Sequence, residues 1–422
     1  MNTLTLVFLA AVAVTLLARL WLAQRQIRHV QANAGTVPPF FQDRLPLEAH
    51  RKAALYTISK ARFSRLELIY GTVILLLWTL GGGLDLLDRL WRAAGLSDLL
   101  TGLGVMLSFA LFASLLSLPA SYYHTFGIDQ RFGLNNSSRA LFVMDFIKTG
   151  LLLLILGVPL LWVLLWLMEQ SGPFWWVEVW LVWTLFNLLL LWAFPRFIAP
   201  LFNKFTPLED DSLRARIEGL LKKCGFSSNG VFVMDGSRRS TQANAYFSGM
   251  GNNKRIVFFD TLLNTLAPPE IEAVLAHELG HFRLHHIRQR ILISSIVSLA
   301  GLAVLSLLME HEWFFHDLGV TRPSNHMALL LFLLVAPVFA FLFQPLVSWY
   351  SRRHEFEADE YAAQHSSADD LVNALVKLYK ENASTLTPDP LYSAMYDSHP
   401  PASTRVERLA ARGSGSPAQV TP

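Results

Sequence analysis

The stretch Thr149–Met168, TGLLLLILGVPLLWVLLWLM, settles what kind of chain this is. It runs for 20 residues without a charged side chain, and about 20 apolar residues make a helix long enough to cross ~30 Å of hydrocarbon. Six further stretches meet the same test: Leu4–Leu22, Leu66–Leu84, Leu99–Leu118, Trp175–Phe194, Ile291–Met309 and Met327–Tyr350. One soluble core rarely needs so many uninterrupted apolar runs, so the seven read as membrane spans. No basic segment precedes the first span and Arg19 sits at its far end, so it reads as a retained anchor, not a cleaved leader.

Composition agrees. Of 422 residues, 53% are apolar and 16% charged, against roughly 25% charged in an ordinary soluble domain. Disorder is excluded for so apolar a chain, and a disulfide scaffold is excluded by the single cysteine, Cys224. The net charge is only +3 and the basic residues cluster where a membrane surface would hold them, so no nucleic-acid partner is expected. The first, third and fifth inter-span loops carry 8, 3 and 13 Lys/Arg and the tail after Tyr350 carries 7, whereas the opposite side holds only Arg89, Arg92 and Arg322. The positive-inside bias therefore puts the C-terminus in the cytoplasm and the N-terminus on the opposite side. Trp175, Trp176, Trp313 and Trp349 fall near the interfaces, as an aromatic belt does.

Two cytoplasmic segments remain, Pro195–Arg290 and Ser351–Pro422. In the first, Leu208–Cys224 reads as an amphipathic helix stopped by Gly225. Gly230–Met234 and Arg255–Asp260 read as strands, and Ala243–Phe247 as a possible third. Pro268 and Pro269 open a helix that continues through Ile271, Val274 and Leu275. Gly413–Pro422 is rich in Gly, Ser and Pro and reads as a disordered tail.

That helix carries His277-Glu278-Leu279-Gly280-His281. Histidines four apart share a helical face and can hold one Zn²⁺, while the glutamate between them can take a proton from water and pass it to a leaving amine. A third ligand is needed. A histidine six residues beyond His281 would supply it in one protease class, but position 287 is isoleucine. Glu355 and Asp359, four apart just past the last span, supply a carboxylate instead: Glu355 as the metal ligand and Asp359 to orient a ligand imidazole. His285 and His286 read as interfacial histidines. His354 points away around the helix, and Cys224 reads as a small buried residue.

These pieces resemble the type I CAAX prenyl endopeptidases, a family of integral-membrane zinc metalloproteases. The resemblance rests on Phe126–Asn135 (FGIDQRFGLN), Ala199–Leu208 (APLFNKFTPL), Asn244–Phe247 (NAYF), His277–His281, Glu355–Asp359 and Ser398–Pro401 (SHPP), in that order, with seven spans. It implies seven transmembrane helices enclosing a water-filled chamber, with one zinc site facing inward on the cytoplasmic side. It implies cleavage near the C-terminus of prenylated proteins. It further implies that Asn244, Ala245, Tyr246 and Phe247 hold substrate as an added strand, and that His399 and Arg405 lie near the metal, where either can stabilise an oxyanion.

The expected architecture is a mostly α, polytopic membrane protein with a small α+β cytoplasmic zinc metalloprotease domain. Its parts are five spans over residues 1–194, the HExxH segment 195–290, spans six and seven over 291–350, a C-terminal cytoplasmic segment 351–411 and a tail, 412–422. The expected partners are a lipid bilayer and a peptide or protein substrate, prenylated or otherwise membrane-associated. Competing readings are a stress-type membrane protease, an intramembrane protease and a catalytically dead seven-helix scaffold or transporter. The polar flanks of HExxH disfavour the intramembrane protease, and the presence of Glu278 disfavours the scaffold.

Overall fold

The computed structural model describes residues 2–226, 228–248 and 255–413. Past Gly413, the expected tail lies outside the described residues. Long helices dominate the N-terminal half: α1 (Thr3–Asn33), α2 (Leu47–Trp78), α3 (Gly83–Arg92), α4 (Asp98–Tyr123), α5 (Arg139–Gln170) and α6 (Trp175–Ala193). Ser97 and Ser138 start α4 and α5 by accepting from the backbone N–H groups of Leu100 and Leu141. Helix α1 has 31 residues and α2 has 32, about 47 Å each at ~1.5 Å per residue. Both outrun the hydrocarbon, so the basic residues expected in a first loop, Arg44 apart, ride on helix extensions.

Among the described residues, six helical segments are long and apolar enough to cross a membrane, and the bent pair α2–α3 makes a seventh. That pair corrects the expectation of one continuous span over Leu66–Leu84. The helix stops at Trp78 and α3 departs at 45°. Thr79 Oγ1 donates back to the Leu75 carbonyl at 2.8 Å, and Gly82 takes φ +75°, a conformation that glycine adopts at little cost. Side chains along the bundle face outward without protein cover: Ile155 is 68% exposed, Leu185 and Val297 64%. Such a contiguous apolar girdle belongs against lipid.

After a short α7 (Ala199–Phe202) the chain builds a small α+β unit from β1 (Phe205–Pro207), α8 (Asp211–Lys223), β2 (Val231–Met234), β3 (Ala245–Ser248), β4 (Arg255–Phe259), α9 (Asp260–Thr265) and α10 (Pro268–Arg283). The sheet order is β1-β2-β4-β3; β2 and β4 run parallel, and the outer pairs antiparallel. Strand β1 was not legible in the sequence because it is three residues long and pairs on one side only. Helices α11 (His286–Leu308), α12 (Glu312–His316) and α13 (Asn325–Ala340) return through the bundle. The expected seventh span lies within one apolar helical segment, Asn325–His365, in which a 3-10 turn at Phe341–Phe343 joins α13 to α14 (Gln344–His365), with Pro345 in the first turn of α14. The chain closes with α15 (Ala368–Glu381), α16 (Pro390–Tyr396) and α17 (Ala402–Gly413).

Two cores form at opposite ends of the bundle. One joins Phe8, Leu84, Leu103, Leu165, Phe315 and Met327. The other packs Ile217, Ile256, Phe258, Leu262, Leu275, Leu279, Leu371 and Val406, and it carries the chemistry.

Candidate metal centre

Helix α10 starts where the proline pair says it should. Glu270 reaches back to accept from the Ala267 N–H at 2.7 Å, and Lys377 of α15 holds the same carboxylate. Ile271, Ala273, Val274, Leu275, Ala276 and Leu279 are buried. Their burial fixes the rotation of the helix and aims His277 and His281 at α14. The two helices cross closely, with Gly280 against Ala358 and Tyr361.

At that crossing the His277 and His281 Nε2 atoms lie 3.2 Å apart. Glu355 approaches both: Oε2 is 3.5 Å from His277 Nε2, and Oε1 is 3.4 Å from His281 Nε2. Each of the three residues offers a ligand atom within 4.8 Å of the others. The site fits a cation on its own chemistry. Glu355 is 3% exposed, and its Oε2 is a buried oxygen with no hydrogen-bond donor among the described residues, which is costly unless a positive charge completes it. Two imidazole nitrogens and one carboxylate, with a fourth direction open to a cavity, are a donor set suited to a catalytic divalent metal.

Asp359, one turn beyond Glu355 on α14, meets His277 Nδ1 at 2.9 Å. Arg405 of α17 clasps the same carboxylate, Nε donating to Oδ2 at 2.8 Å and Nη2 to Oδ1 at 2.6 Å. Burial drags the His277 pKa down, but Asp359 and Glu355 outweigh it and raise it to about 9. Burial and the neighbouring His277 push His281 down to about 3. Burial raises the Glu278 carboxyl and lowers His399.

Glu278, Glu355, His399 and Arg405 line one cavity of about 470 Å³ together with His277. His399 Nε2 lies 3.4 Å from Glu355 Oε1, in the turn between α16 and α17. Asn244 and Ala245 line the same cavity. Phe247 turns into the core against Phe282, and Tyr246 lies edge-on to Phe259. Strand β3 ends the sheet, so its outer edge is unpaired among the described residues.

The structure adds residues that were not singled out in the sequence. Asn382 grips the Ala243 peptide from both sides, accepting from its N–H at 2.9 Å and donating to its carbonyl at 3.2 Å. Tyr379 lines the cavity, and its hydroxyl donates to the Pro400 carbonyl beside His399 at 3.4 Å. No sequence signal separates either from an ordinary residue of an amphipathic helix and its end. His286 corrects an expectation: it is no interfacial histidine but is 2% exposed, with its Nδ1 at 2.9 Å from His281 Nδ1. Cys224 is buried in the core near the metal-bearing unit, as expected.

Comparison with known proteins matches this arrangement across the chain. Residues 26–204 match the model described as CAAX prenyl protease N-terminal, five membrane helices. Residues 207–413 match peptidase family M48. The CAAX prenyl protease 1 homolog of Arabidopsis thaliana is 34% identical over 89% of this chain and 90% of its own length. CAAX prenyl protease 1 of Saccharomyces cerevisiae is 32% identical over 89% and 88%. The crystal structure of S. mikatae Ste24p superposes with a TM-score of 0.90 at 30% identity, covering 97% of this chain and 99% of that one. A membrane-crossing bundle, a helix pair converging on a metal-type donor set, and relatives alike from end to end lead to one conclusion: the chain belongs to peptidase family M48 and is a multi-pass membrane metalloendopeptidase.

Proposed function

We propose that this protein is a zinc endopeptidase that cuts peptide bonds near the C-terminus of prenylated CAAX-type or other membrane-associated proteins. The observation that carries the zinc reading is the buried Glu355 carboxylate, its orphaned Oε2 facing His277 Nε2 and its Oε1 facing His281 Nε2. His277, His281 and Glu355 are the ligands. When bound, Zn²⁺ supplies Lewis-acid chemistry, acidifying water and polarising a carbonyl. Glu278 takes the proton from the attacking water and hands it to the leaving amine; its burial raises its basicity for that task. Asp359 holds His277 in the tautomer that presents Nε2, and Arg405 holds Asp359. Arg405 gives its Nε and Nη2 to Asp359 and so acts on the metal side of the site, and His399 is the donor to the developing oxyanion. The free edge of β3 at Asn244–Phe247 receives the substrate backbone as an added strand.

The prenylated class is supported by what the relatives are named for and by the bilayer setting. The site cavity shares Tyr379, Ser384 and His399 with a second cavity of about 500 Å³. That one shares Ser64 with a third of about 580 Å³ between α1, α2 and α13. This run of connected space supports an inner chamber. The loop charges support a cytoplasmic active site with the N-terminus opposite. They also support the division into membrane segments 1–194 and 291–350 and cytoplasmic segments 195–290 and 351–411.

The test is cleavage of a farnesylated CAAX peptide and its unprenylated twin by the purified protein, with products mapped by mass spectrometry. Chelator-sensitive cutting of the farnesylated peptide near its C-terminus is expected. No cutting of either peptide by zinc-loaded protein would overturn the substrate reading.

A further inference from the structure

One ligand histidine has a clear brace, Asp359 behind His277. The other has no carboxylate on its Nδ1 among the described residues. What stands there is the first residue of α11, His286, five positions along the chain and folded back by the left-handed backbone of His285 at φ 61°. We propose that His286, itself held by Glu357, is the positioning residue for His281. This inference rests on His281 being a metal ligand.

The hydrogen positions follow from that one condition. A His281 that offers its Nε2 lone pair to a metal carries its proton on Nδ1 and must donate it. The atom 2.9 Å away is His286 Nδ1, which must therefore be the acceptor. Its own proton then sits on Nε2, and 3.0 Å from Nε2 lies Glu357 Oε2, an acceptor. Glu357 is anchored in turn, since Arg353 Nε donates to Oε1 at 2.9 Å. Every donor in the row meets an acceptor, from Arg353 through Glu357 and His286 to His281. The His286 ring is also clamped: His354 stacks on it, with centroids 3.9 Å apart and planes within 3°.

The same three residues, His286, His354 and Glu357, can be read as a second metal site, because each offers a donor atom within 4.8 Å of the others. Ring geometry rejects that reading. An imidazole binds a metal in its own plane at ~2.0–2.1 Å. Stacked parallel rings have separate planes, so no one ion lies in both.

The experiment measures the Zn²⁺ dissociation constant of the purified full-length protein by competition with a chromogenic chelator. His286→Phe keeps a stacking ring and removes the acceptor. His286→Asn places an amide oxygen where Nδ1 was. Glu357→Leu removes the anchor from a half-exposed position and serves where His286→Phe does not fold. Phe is expected to weaken zinc binding about 10–100-fold, Leu to weaken it in the same direction, and Asn to stay within about threefold of wild type. A merely structural ring would be replaced better by Phe, which keeps the stack on His354, than by Asn, which loses it. Zinc affinity unchanged in His286→Phe, or equal loss in Asn and Phe, overturns the bracing role. Should the wild type itself bind no zinc that His277→Ala abolishes, the metal centre fails, which is a separate result from failure of the brace.

Discussion

Gly280 occupies a variable position of HExxH, yet its surroundings leave room for little else. A Cβ built there would lie 3.1 Å from the Ala358 Cα, 3.1 Å from the Tyr361 Cβ and 3.3 Å from the Ala358 carbonyl oxygen. All three belong to the rigid part of α14, so the helices must part by a few tenths of an ångström for alanine to fit. Alanine gains about 0.8–1.0 kcal/mol of helix propensity over glycine. Overpacking a close crossing costs about 1–3 kcal/mol. Metal-free protein can relax by easing α10 away from α14, and its stability should change little. A metal pulls His277 and His281 back towards Glu355 and restores the conflict, because ligand distances tolerate only about ±0.2 Å. The overpacking cost then falls on metal loading. At about 1.4 kcal/mol per tenfold, it amounts to roughly 5- to 150-fold weaker zinc binding in Gly280→Ala. Chelator competition measures the affinity, and thermal unfolding of the zinc-free protein measures the fold. An alanine variant that is more stable when zinc-free and binds zinc within about twofold of wild type would show that the crossing is looser than the structure draws it.

Glu278→Gln should keep zinc and fold while losing about 10²–10⁴ in turnover, since an amide cannot accept the proton; more than half of wild-type activity would remove Glu278 from the mechanism. His399→Ala should lower kcat by about 10²–10³ with zinc content unchanged, and a change confined to a few-fold would strike it from the site. Arg405→Met strands the buried Asp359 carboxylate at a cost of about 3–5 kcal/mol, or ~6–20 °C in thermal unfolding at roughly 2–4 °C per kcal/mol. Adding Asp359→Leu should recover most of that loss but not the zinc affinity, because His277 then lacks its acceptor; a double variant no more stable than the single one counts against the pair. In a Cys224→Ser background, a cysteine at Ser212 should be labelled only from the cytoplasm and one at Ser171 or Ser324 only from the other side, and the reverse pattern would invert the topology.

The membrane character and the candidate metal triad were legible from residue order because both are local patterns. An apolar run such as Thr149–Met168 declares a span through its length, and i, i+4 spacing puts His277 with His281 and Glu355 with Asp359 on single helical faces. Breaks in the helices were less legible. The stop at Thr79–Gly82 depends on a threonine bonding back to its own helix, and hydropathy does not register that. What only the tertiary structure decided are the contacts between elements far apart in the chain. Arg405 reaches Asp359 across 46 positions and Glu357 reaches His286 across 71, while Asn382 holds Ala243 across 139. No periodicity encodes such pairs. They exist because burying the faces of α10, α14, α15 and α17 against one core leaves buried polar groups that must find partners, and the packing determines which partners those are.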